Sequence, residues 1–296
     1  MPARSTPGRY HRKMPEPLLT TAHGTLYQGD CMDFLRSLDD GAADVVFADP
    51  PFNLDKNYGS GIKDRLPDDE YLDWCRTWVK ECVRVVTPGG AIWLYNLPKW
   101  NIEVGHSLNE AGMTFRHWVA IDIKMLLPIP GRLYPSHYSL LYYTKGKPKT
   151  FVRPRVPIPV CRHCGGDIKD YGGHRKALNP EGLNVSDVWT DIPPVRHAKT
   201  KHRGANALSE KMLERVLTIS SEEGDLVLDP FGGSGTTYAV AERMHRRWIG
   251  CELGDAEPIV ARLTGGPKVE GIMPEKGACG KGVGFVTSAT LDRLSP

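Results

Sequence analysis

The sequence Asp44-Val45-Val46-Phe47-Ala48 runs directly into Asp49-Pro50-Pro51-Phe52. The first five residues are mostly apolar and β-branched, which predicts a buried strand that ends at the tetrapeptide. In open α/β sheets, ligands bind at the carboxyl ends of the strands. Two prolines fix the backbone and remove two N–H donors, so residues 49–52 are predicted to form a rigid turn with a carboxylate, carbonyls and an aromatic ring. This set suits a planar group that carries an NH2; an ordinary Pro-Pro turn is the alternative.

A second strand and turn of this kind lies near the end of the chain. Residues 226–228 predict a buried strand that leads into Asp229-Pro230-Phe231-Gly232-Gly233-Ser234-Gly235-Thr236-Thr237, called the glycine loop below, and then into a helix. A glycine-rich turn before a helix N-terminus favours a nucleotide-like ligand. The loop lacks the lysine of a Walker A loop and the full spacing of a dinucleotide site, so both of these are excluded.

The strand after that helix, residues 248–251, ends at Glu252. A carboxylate in this position can bind both hydroxyls of an adenosine ribose. The glycine loop and Glu252 together fit S-adenosylmethionine as well as a nucleotide. A surface acid at a strand end is the alternative interpretation of Glu252.

The remaining elements alternate between strands and helices. Residues 26–28 predict a strand followed by Asp30, which suits a helix N-cap, and the polar residues 53–66 predict a mobile loop beside the site. A long helix after that loop carries Cys75 and Cys82 on its apolar stripe, which predicts core packing for both. Further strands are predicted at 91–95, 115–123 and 137–144. The pattern indicates an α/β fold with a Rossmann-like, doubly wound, mostly parallel sheet.

Charge is distributed unevenly along the chain. Between Lys145 and Arg203 there are 13 Lys and Arg against 5 Asp and Glu, whereas the rest of the chain has 25 against 30. Prolines and glycines interrupt this segment, so residues 146–205 are predicted to form an irregular basic insert facing nucleic acid, with a solvated loop as the alternative. The cations expected to contact phosphates are Lys145, Lys147, Lys149, Arg153 and Arg155. Cys161 and Cys164 look like half of a zinc knuckle, but no spacing singles out further ligands and no metal site is assigned.

These features divide the 296 residues into five parts. We expect a flexible arm at 1–20, the first half of the main domain at 21–145, the insert at 146–205, the second half at 206–264 and a loosely structured tail at 265–296. No apolar run approaches the roughly 20 residues that span a membrane, and the basic N-terminus lacks the apolar segment of a secretory signal. Seven scattered cysteines indicate a reduced, cytoplasmic protein.

The two turns, in this order and with the basic insert between them, resemble the motifs of the β class of DNA amino-methyltransferases. The resemblance covers nearly all of residues 26–263 outside the insert and implies a circularly permuted methyltransferase fold that binds S-adenosyl-L-methionine. It implies catalytic roles for Asp49, Pro50, Pro51 and Phe52. It implies cofactor binding by Asp30, Cys31, Asp229, Phe231, Gly233, Ser234, Gly235, Thr236 and Glu252. Residues 201–211 lack two prolines that the family often shows, so no cofactor contacts are assigned there.

What the resemblance implies for function is methyl transfer to an exocyclic amino group of double-stranded DNA, with the target base flipped out of the helix. Asp49 favours N6 of adenine, because N4-cytosine enzymes more often carry serine at that position. N4 of cytosine is the alternative, and a catalytically inactive DNA-binding regulator is a third hypothesis. C5-cytosine methylation is disfavoured because no cysteine directly follows a proline. A homodimer and a cognate restriction enzyme stay open as partners; no membrane partner is expected.

Overall fold

The computed structural model describes residues 16–55, 64–123, 130–131, 133–161, 163–170, 172–193 and 207–265. Most of the predicted N-terminal arm, nearly all of the predicted tail and the middle of the 53–66 loop therefore lie outside the described residues. The strands are β1 Leu19–Thr20, β2 Gly24–Gln28, β3 Ala43–Ala48, β4 Val86–Asn96, β5 Thr114–Asp122, β6 His137–Thr144, β7 Arg155–Val156, β8 Leu183–Asn184, β9 Val188–Trp189, β10 Leu226–Asp229 and β11 Arg247–Glu252. The helices are α1 Cys31–Ser37, α2 Asp68–Val85, α3 Pro98–Glu110, α4 Glu210–Ser220, α5 Thr236–Arg243 and α6 Glu257–Leu263.

Nine of the described strands form one sheet in the order β1-β2-β11-β10-β3-β4-β6-β5-β9. The central strands β2, β11, β10, β3 and β4 are parallel neighbours. Strand β6 runs antiparallel between β4 and β5. The mostly parallel, Rossmann-like sheet is thus confirmed, with one difference from the simple alternation in the sequence. Strands β5 and β6 follow each other along the chain and pair directly, which an antiparallel ladder permits and a parallel one does not without a crossover.

Alternate residues of the central strands point to opposite faces of the sheet. In β3, Val45 and Phe47 belong to one hydrophobic cluster, whereas Val46 and Ala48 belong to the other. Helices α4, α5 and α6 contribute to the first cluster, and α1, α2 and α3 contribute to the second. The sheet is therefore covered by helices on both faces, and the carboxyl ends of its parallel strands remain for ligands.

Helix α2 buries one face against the sheet. Cys75 and Cys82 lie on that buried face, so their predicted core positions are confirmed. The C-terminal end of the helix is capped by Lys145, whose Nζ donates to the carbonyls of Val83 at 2.8 Å and Val86 at 2.9 Å. A cation stabilises this end of a helix because the last carbonyls lack helical partners and carry partial negative charge. Lys145 is thus occupied within the chain.

The first residues of the insert lie at the amino ends of the parallel strands, whereas residues 49–52 follow the carboxyl end of β3. Lys149 forms ion pairs with Asp44 at 3.1 Å and Asp225 at 2.7 Å, and these two acids lie at or just before the starts of β3 and β10. The ammonium therefore joins two neighbouring strands. Lys145 and Lys149, which we expected to contact phosphates, make these contacts within the chain, and their contact with DNA stays a prediction.

The last described residues of the insert lie near the carboxyl ends of the strands. Strand β9 pairs with the C-terminal part of β5, and Trp189 is buried with its ring centroid 6.5 Å from that of Trp93. Asp191 accepts two hydrogen bonds from Arg215 of α4, at 3.0 and 2.7 Å, and the guanidinium carbon lies 4.7 Å from the Trp189 ring centre. The predicted irregular insert is therefore attached to the sheet twice, at the amino ends of β3 and β10 and near the carboxyl end of β5.

The described residues, 16–265 with the gaps given above, contain neither a membrane span nor a metal cluster. None of the helices in these ranges is both long and apolar enough to cross a membrane. Over the same residues, no three His, Cys, Asp or Glu side chains are grouped to hold a metal ion. Cys161 and Cys164 thus gain no third ligand in the described part of the chain.

Candidate active site

The carboxyl ends of β2, β3, β10 and β11 surround a cavity of about 660 Å³. The predicted site residues that line it are Asp30, Cys31, Asp49, Pro50, Pro51, Phe52, Asp229, Phe231, Gly233, Ser234, Thr236 and Glu252. Gly235 does not line the cavity but caps the start of α5. The two turns meet because β3 and β10, which precede them, are adjacent parallel strands.

An aromatic group surrounds the first turn. The ring centroid of Phe52 lies 5.9 Å from that of Tyr95 and 5.6 Å from that of Tyr138, and the two tyrosines are 5.2 Å apart. Burial, and then the carboxylate of Asp49, raise the pKa of both Tyr95 and Tyr138. The phenols therefore stay neutral at physiological pH. This part of the cavity combines flat apolar walls with one carboxylate.

The chain that follows Phe52 is held in place by Asp64. The buried carboxylate of Asp64 accepts hydrogen bonds from the backbone N–H groups of Asn53 at 2.8 Å and Leu54 at 3.1 Å. Asn53 also exchanges side-chain hydrogen bonds with the backbone of Leu66, at 2.7 and 2.9 Å. Both ends of the predicted 53–66 loop are thus fixed beside the cavity. Residues 56–63, on which the predicted mobility falls, lie outside the described residues.

The glycine loop is folded tightly against β11 and α6. A Cβ atom on Gly232 would lie 2.9 Å from Cδ1 of Ile259 and 3.0 Å from the carbonyl oxygen of Cys251, which is closer than side chains tolerate. Gly235 has a φ of 73° at the N-cap of α5, a conformation that glycine adopts without steric cost. Gly232 is therefore required by packing and Gly235 by backbone conformation.

Glu252 is held by this loop at the end of β11. Its Oε2 accepts from the backbone N–H of Gly233 and its Oε1 from that of Gly254, both at 2.7 Å. Two backbone donors fix the orientation of the carboxylate, and each oxygen retains a further lone pair. Glu252 is thus an oriented acceptor in the cavity, which argues against the interpretation as a surface acid.

Asp229 is the buried acid at the end of β10, with 1% of its surface exposed. Its Oδ1 accepts from the backbone N–H of Phe231 at 2.9 Å. Burial, with a smaller contribution from Glu252, raises the pKa of Asp229 to about 7, whereas hydrogen bonds from Thr237 and Phe231 oppose the shift. Asp229 therefore titrates close to neutral pH while it organises the start of the glycine loop.

Asp30 and Cys31 line the cavity just after the end of β2. Asp30 is the N-cap of α1, and its Oδ1 accepts from the backbone N–H groups of Met32 at 2.8 Å and Asp33 at 3.3 Å. Burial, and then the Asp30 charge, raise the pKa of the Cys31 thiol to about 12. Cys31 is therefore a neutral thiol and is not suited to nucleophilic catalysis.

Residues 43–257 match the family model described as DNA methylase. The chain belongs to the DNA methylase family. The β-class resemblance expected from the two turns is confirmed at this level.

Several Type II methyltransferases are relatives of this DNA methylase. It is 53% identical over 249 residues to M.BamHI of Bacillus amyloliquefaciens, which covers 84% of this chain and 59% of that protein. It is 32% identical over 222 residues to M.HpaI of Haemophilus parainfluenzae, which covers 74% of this chain and 67% of that protein. The chain thus spans about three fifths to two thirds of the length of these two relatives.

Solved structures share the fold of this methylase at low sequence identity. The cytosine-N4-specific PvuII DNA methyltransferase has a TM-score of 0.60 at 21% identity, over 87% of this chain and 90% of that one. The M1.HpyAVI complex with S-adenosyl-L-methionine has a TM-score of 0.53 at 21% identity, over 81% of this chain and 100% of that one. At this identity the likeness concerns the fold.

Sequence reasoning missed several residues that line the methylase cavity. Tyr95 ends a predicted strand, and this position was a usable signal. Ile192 and Pro193 come from the end of the irregular insert, which carries no periodic signal. Further cavity residues that were not assigned are Leu208, Ser209 and Met212 near the start of α4.

Phe231 lies between the cavity and the helices on one face of the sheet. Its ring packs edge-on against Trp74 and Trp78 of α2, with centroid distances of 5.8 and 5.3 Å. The residue lines the cavity, but its aromatic contacts fix the glycine loop to the helical layer.

Proposed function

We propose that this methylase transfers a methyl group from S-adenosyl-L-methionine to the exocyclic amino nitrogen of a base in double-stranded DNA. The observation that carries the proposal is the meeting of Asp49 and Phe52 with the glycine loop and Glu252 in one cavity. A cavity of about 660 Å³ falls within the usual size of small-molecule sites, roughly 300–1,000 Å³. It offers an apolar, aromatic part beside a part lined by the glycine loop and by carboxylates.

The donor set on the glycine-loop side fits S-adenosyl-L-methionine. Glu252 is oriented by two backbone N–H groups and serves the ribose hydroxyls, while Asp30 and Cys31 flank the adenine. Gly233, Ser234 and Thr236 present the polar surface of the loop to the methionine portion. When bound, the cofactor supplies a methyl group activated by its positively charged sulfur.

Residues 49–52 hold the acceptor nitrogen. The amino lone pair of a base is delocalised into its ring, so the nitrogen is a poor nucleophile. Hydrogen bonds from the amino group to the Asp49 carboxylate and the Pro50 carbonyl favour tetrahedral geometry and fix the nitrogen for attack. Phe52 stacks on the base, with Tyr95 and Tyr138 completing the aromatic walls. The proton released after methyl transfer passes to Asp49 or to water.

The target base is assigned to adenine N6 on the identity of Asp49. N4 of cytosine is the second candidate, because the same acceptors and the same aromatic walls suit its amino group, and the PvuII enzyme with this fold is cytosine-N4-specific. An inactive regulator is disfavoured because Asp49 and Glu252 are both intact in the cavity.

The base reaches this cavity by leaving the duplex, and the insert at 146–205 reads the surrounding sequence. Residues 21–145 and 206–264 form the catalytic and cofactor halves in this proposal. Because its relatives are Type II methyltransferases, we propose that the chain acts in a restriction-modification system with a cognate restriction enzyme. Homodimer formation stays a prediction from the sequence.

The Asp49→Ala variant tests the catalytic assignment. It removes one acceptor for the amino group, so methyl transfer to duplex DNA should fall by about 100-fold or more, whereas the Kd for S-adenosyl-L-methionine should not change. Tritium transfer and calorimetric titration measure the two quantities. Asp73→Ala, on the exposed side of α2, is the control and should retain activity. Loss of cofactor binding by Asp49→Ala with normal DNA affinity would contradict the assignment.

A further inference from the structure

Two backbone carbonyls of the turn at residues 49–52 accept hydrogen bonds from side chains of α2 and α3. The Pro51 carbonyl accepts a hydrogen bond from Oη of Tyr71 at 2.7 Å. The Phe52 carbonyl accepts one from Nε1 of Trp100 at 2.8 Å. Tyr71 belongs to α2 and Trp100 to α3, and both are buried. Side chains of two helices thus form hydrogen bonds with consecutive carbonyls of the turn.

The direction of the Tyr71 hydrogen bond is fixed by Asn96. The amide oxygen of Asn96 accepts from the backbone N–H of Leu97 at 2.7 Å, so its nitrogen faces the phenol and donates to Oη of Tyr71 at 3.1 Å. A phenol has a single hydrogen to donate. With one lone pair engaged by Asn96, the hydrogen goes to the Pro51 carbonyl. Asn96 ends β4 and is fully buried, so the arrangement is shielded from water.

The packing of the two donors supports the same arrangement. The rings of Tyr71 and Trp100 lie 4.7 Å apart, so neither can rotate independently. Because the carbonyls of Pro51 and Phe52 point to these side chains, they are turned away from a substrate amino group. Buried carbonyls that lose such donors carry a desolvation penalty, which would drive the peptide groups to reorient.

We propose that Tyr71, held by Asn96, and Trp100 are positioning residues that set the peptide planes of the turn, so that the Asp49 carboxylate and the Pro50 carbonyl are the acceptors presented to the amino nitrogen. This inference rests on the proposed function. It assigns to α2 and α3 the task of keeping the acceptors at attack geometry, which is a task distinct from binding either substrate.

The Tyr71→Phe variant tests this proposal, with Tyr143→Phe as the matched control. Each change keeps a ring and removes a buried phenol that donates to a backbone carbonyl; Tyr143 donates to Gly105 at 3.1 Å, away from the turn. Single-turnover methyl transfer measures chemistry without product release, and titrations give the Kd for cofactor and for DNA. Trp100→Phe is the second variant if Tyr71→Phe does not fold.

We expect the single-turnover rate to fall by about tenfold or more for Tyr71→Phe and Trp100→Phe, with unchanged Kd values, because small misplacement of a reacting group is costly. Tyr143→Phe should lower the melting temperature similarly but keep the wild-type rate. Equal rates for Tyr71→Phe and wild type, or an equal loss in Tyr143→Phe, would overturn the positioning assignment alone. A wild-type chain that transfers no methyl to DNA would overturn the proposed function and this assignment together.

Discussion

Asp49 and Glu252 are both acids at the ends of parallel strands, but their surroundings differ. Glu252 is oriented by the backbone N–H groups of Gly233 and Gly254. Asp49 lies beside Tyr95 and Tyr138, and burial together with the smaller effect of the Asp49 charge raises the pKa of both phenols. The positions of the two acids could be predicted because each follows a recognisable strand. Their surroundings could not, because the contacts come from residues that are distant in sequence.

The pKa of Asp229 gives a testable pH dependence of stability. Folding raises this pKa to about 7, so between pH 4 and pH 7 the folded state binds a proton that the unfolded state has released. The stabilisation is therefore complete at low pH and is lost as pH rises through 7. Relative to Asp229→Asn, the wild-type free energy of unfolding should fall by about 2 kcal/mol between pH 5 and pH 7.

Urea titrations of both proteins at pH 5, 6, 7 and 8 measure this difference. The gap between the two proteins should change up to pH 7 and level off above it. A gap that stays constant over the whole range would show that Asp229 does not titrate there.

At the scale of elements, the sequence predicted those whose hydrophobic period is local. Strand β3, strand β10, strand β6 and helix α2 were found where the apolar patterns indicated. Strand β9 was not predicted, since only two residues pair and the burial of Trp189 depends on contact with β5 and α4. Strand β4 begins at Val86, five residues earlier than predicted, because Val86 already pairs with Ala43 of β3 before Pro88 and the two glycines.

A substitution of Lys149 tests how the insert is attached to strands β3 and β10. Its ammonium pairs with Asp44 and Asp225 but is half exposed, so Lys149→Ala should lower the free energy of unfolding by about 0.5–1 kcal/mol. Lys147→Ala, an exposed neighbour, should change it by less than about 0.5 kcal/mol. Denaturant titrations measure both effects.

The salt dependence of DNA affinity distinguishes two roles of Lys149, an ion pair between strands and a phosphate contact. If Lys149 holds strands together, Lys149→Ala should leave the salt dependence of DNA affinity at the wild-type value. A salt slope reduced by about one in Lys149→Ala and unchanged in Lys147→Ala would assign Lys149 to a phosphate contact instead.

At the scale of the whole molecule, the meeting of the two turns is the central feature. Local patterns predicted a strand and a turn at residues 49–52 and again at the glycine loop. That β3 and β10 are adjacent could be expected only from the family resemblance, because hydrophobic periodicity carries no information on strand order. The insert runs from the amino ends of the strands at Lys149 to the cavity at Ile192. Hydrophobic periodicity could not predict this course either, because it carries no information on contacts between distant segments.

The most direct test is nucleoside mass spectrometry of plasmid DNA from a host without its own DNA methylases, expressing either the wild-type chain or Asp49→Ala. We expect a methylated amino group with the wild-type chain, as N6-methyladenine under the first assignment, and none with Asp49→Ala. N4-methylcytosine in its place would keep the reaction and change the base. Plasmid DNA with neither modified base, from cells that contain the folded wild-type chain, would contradict the account.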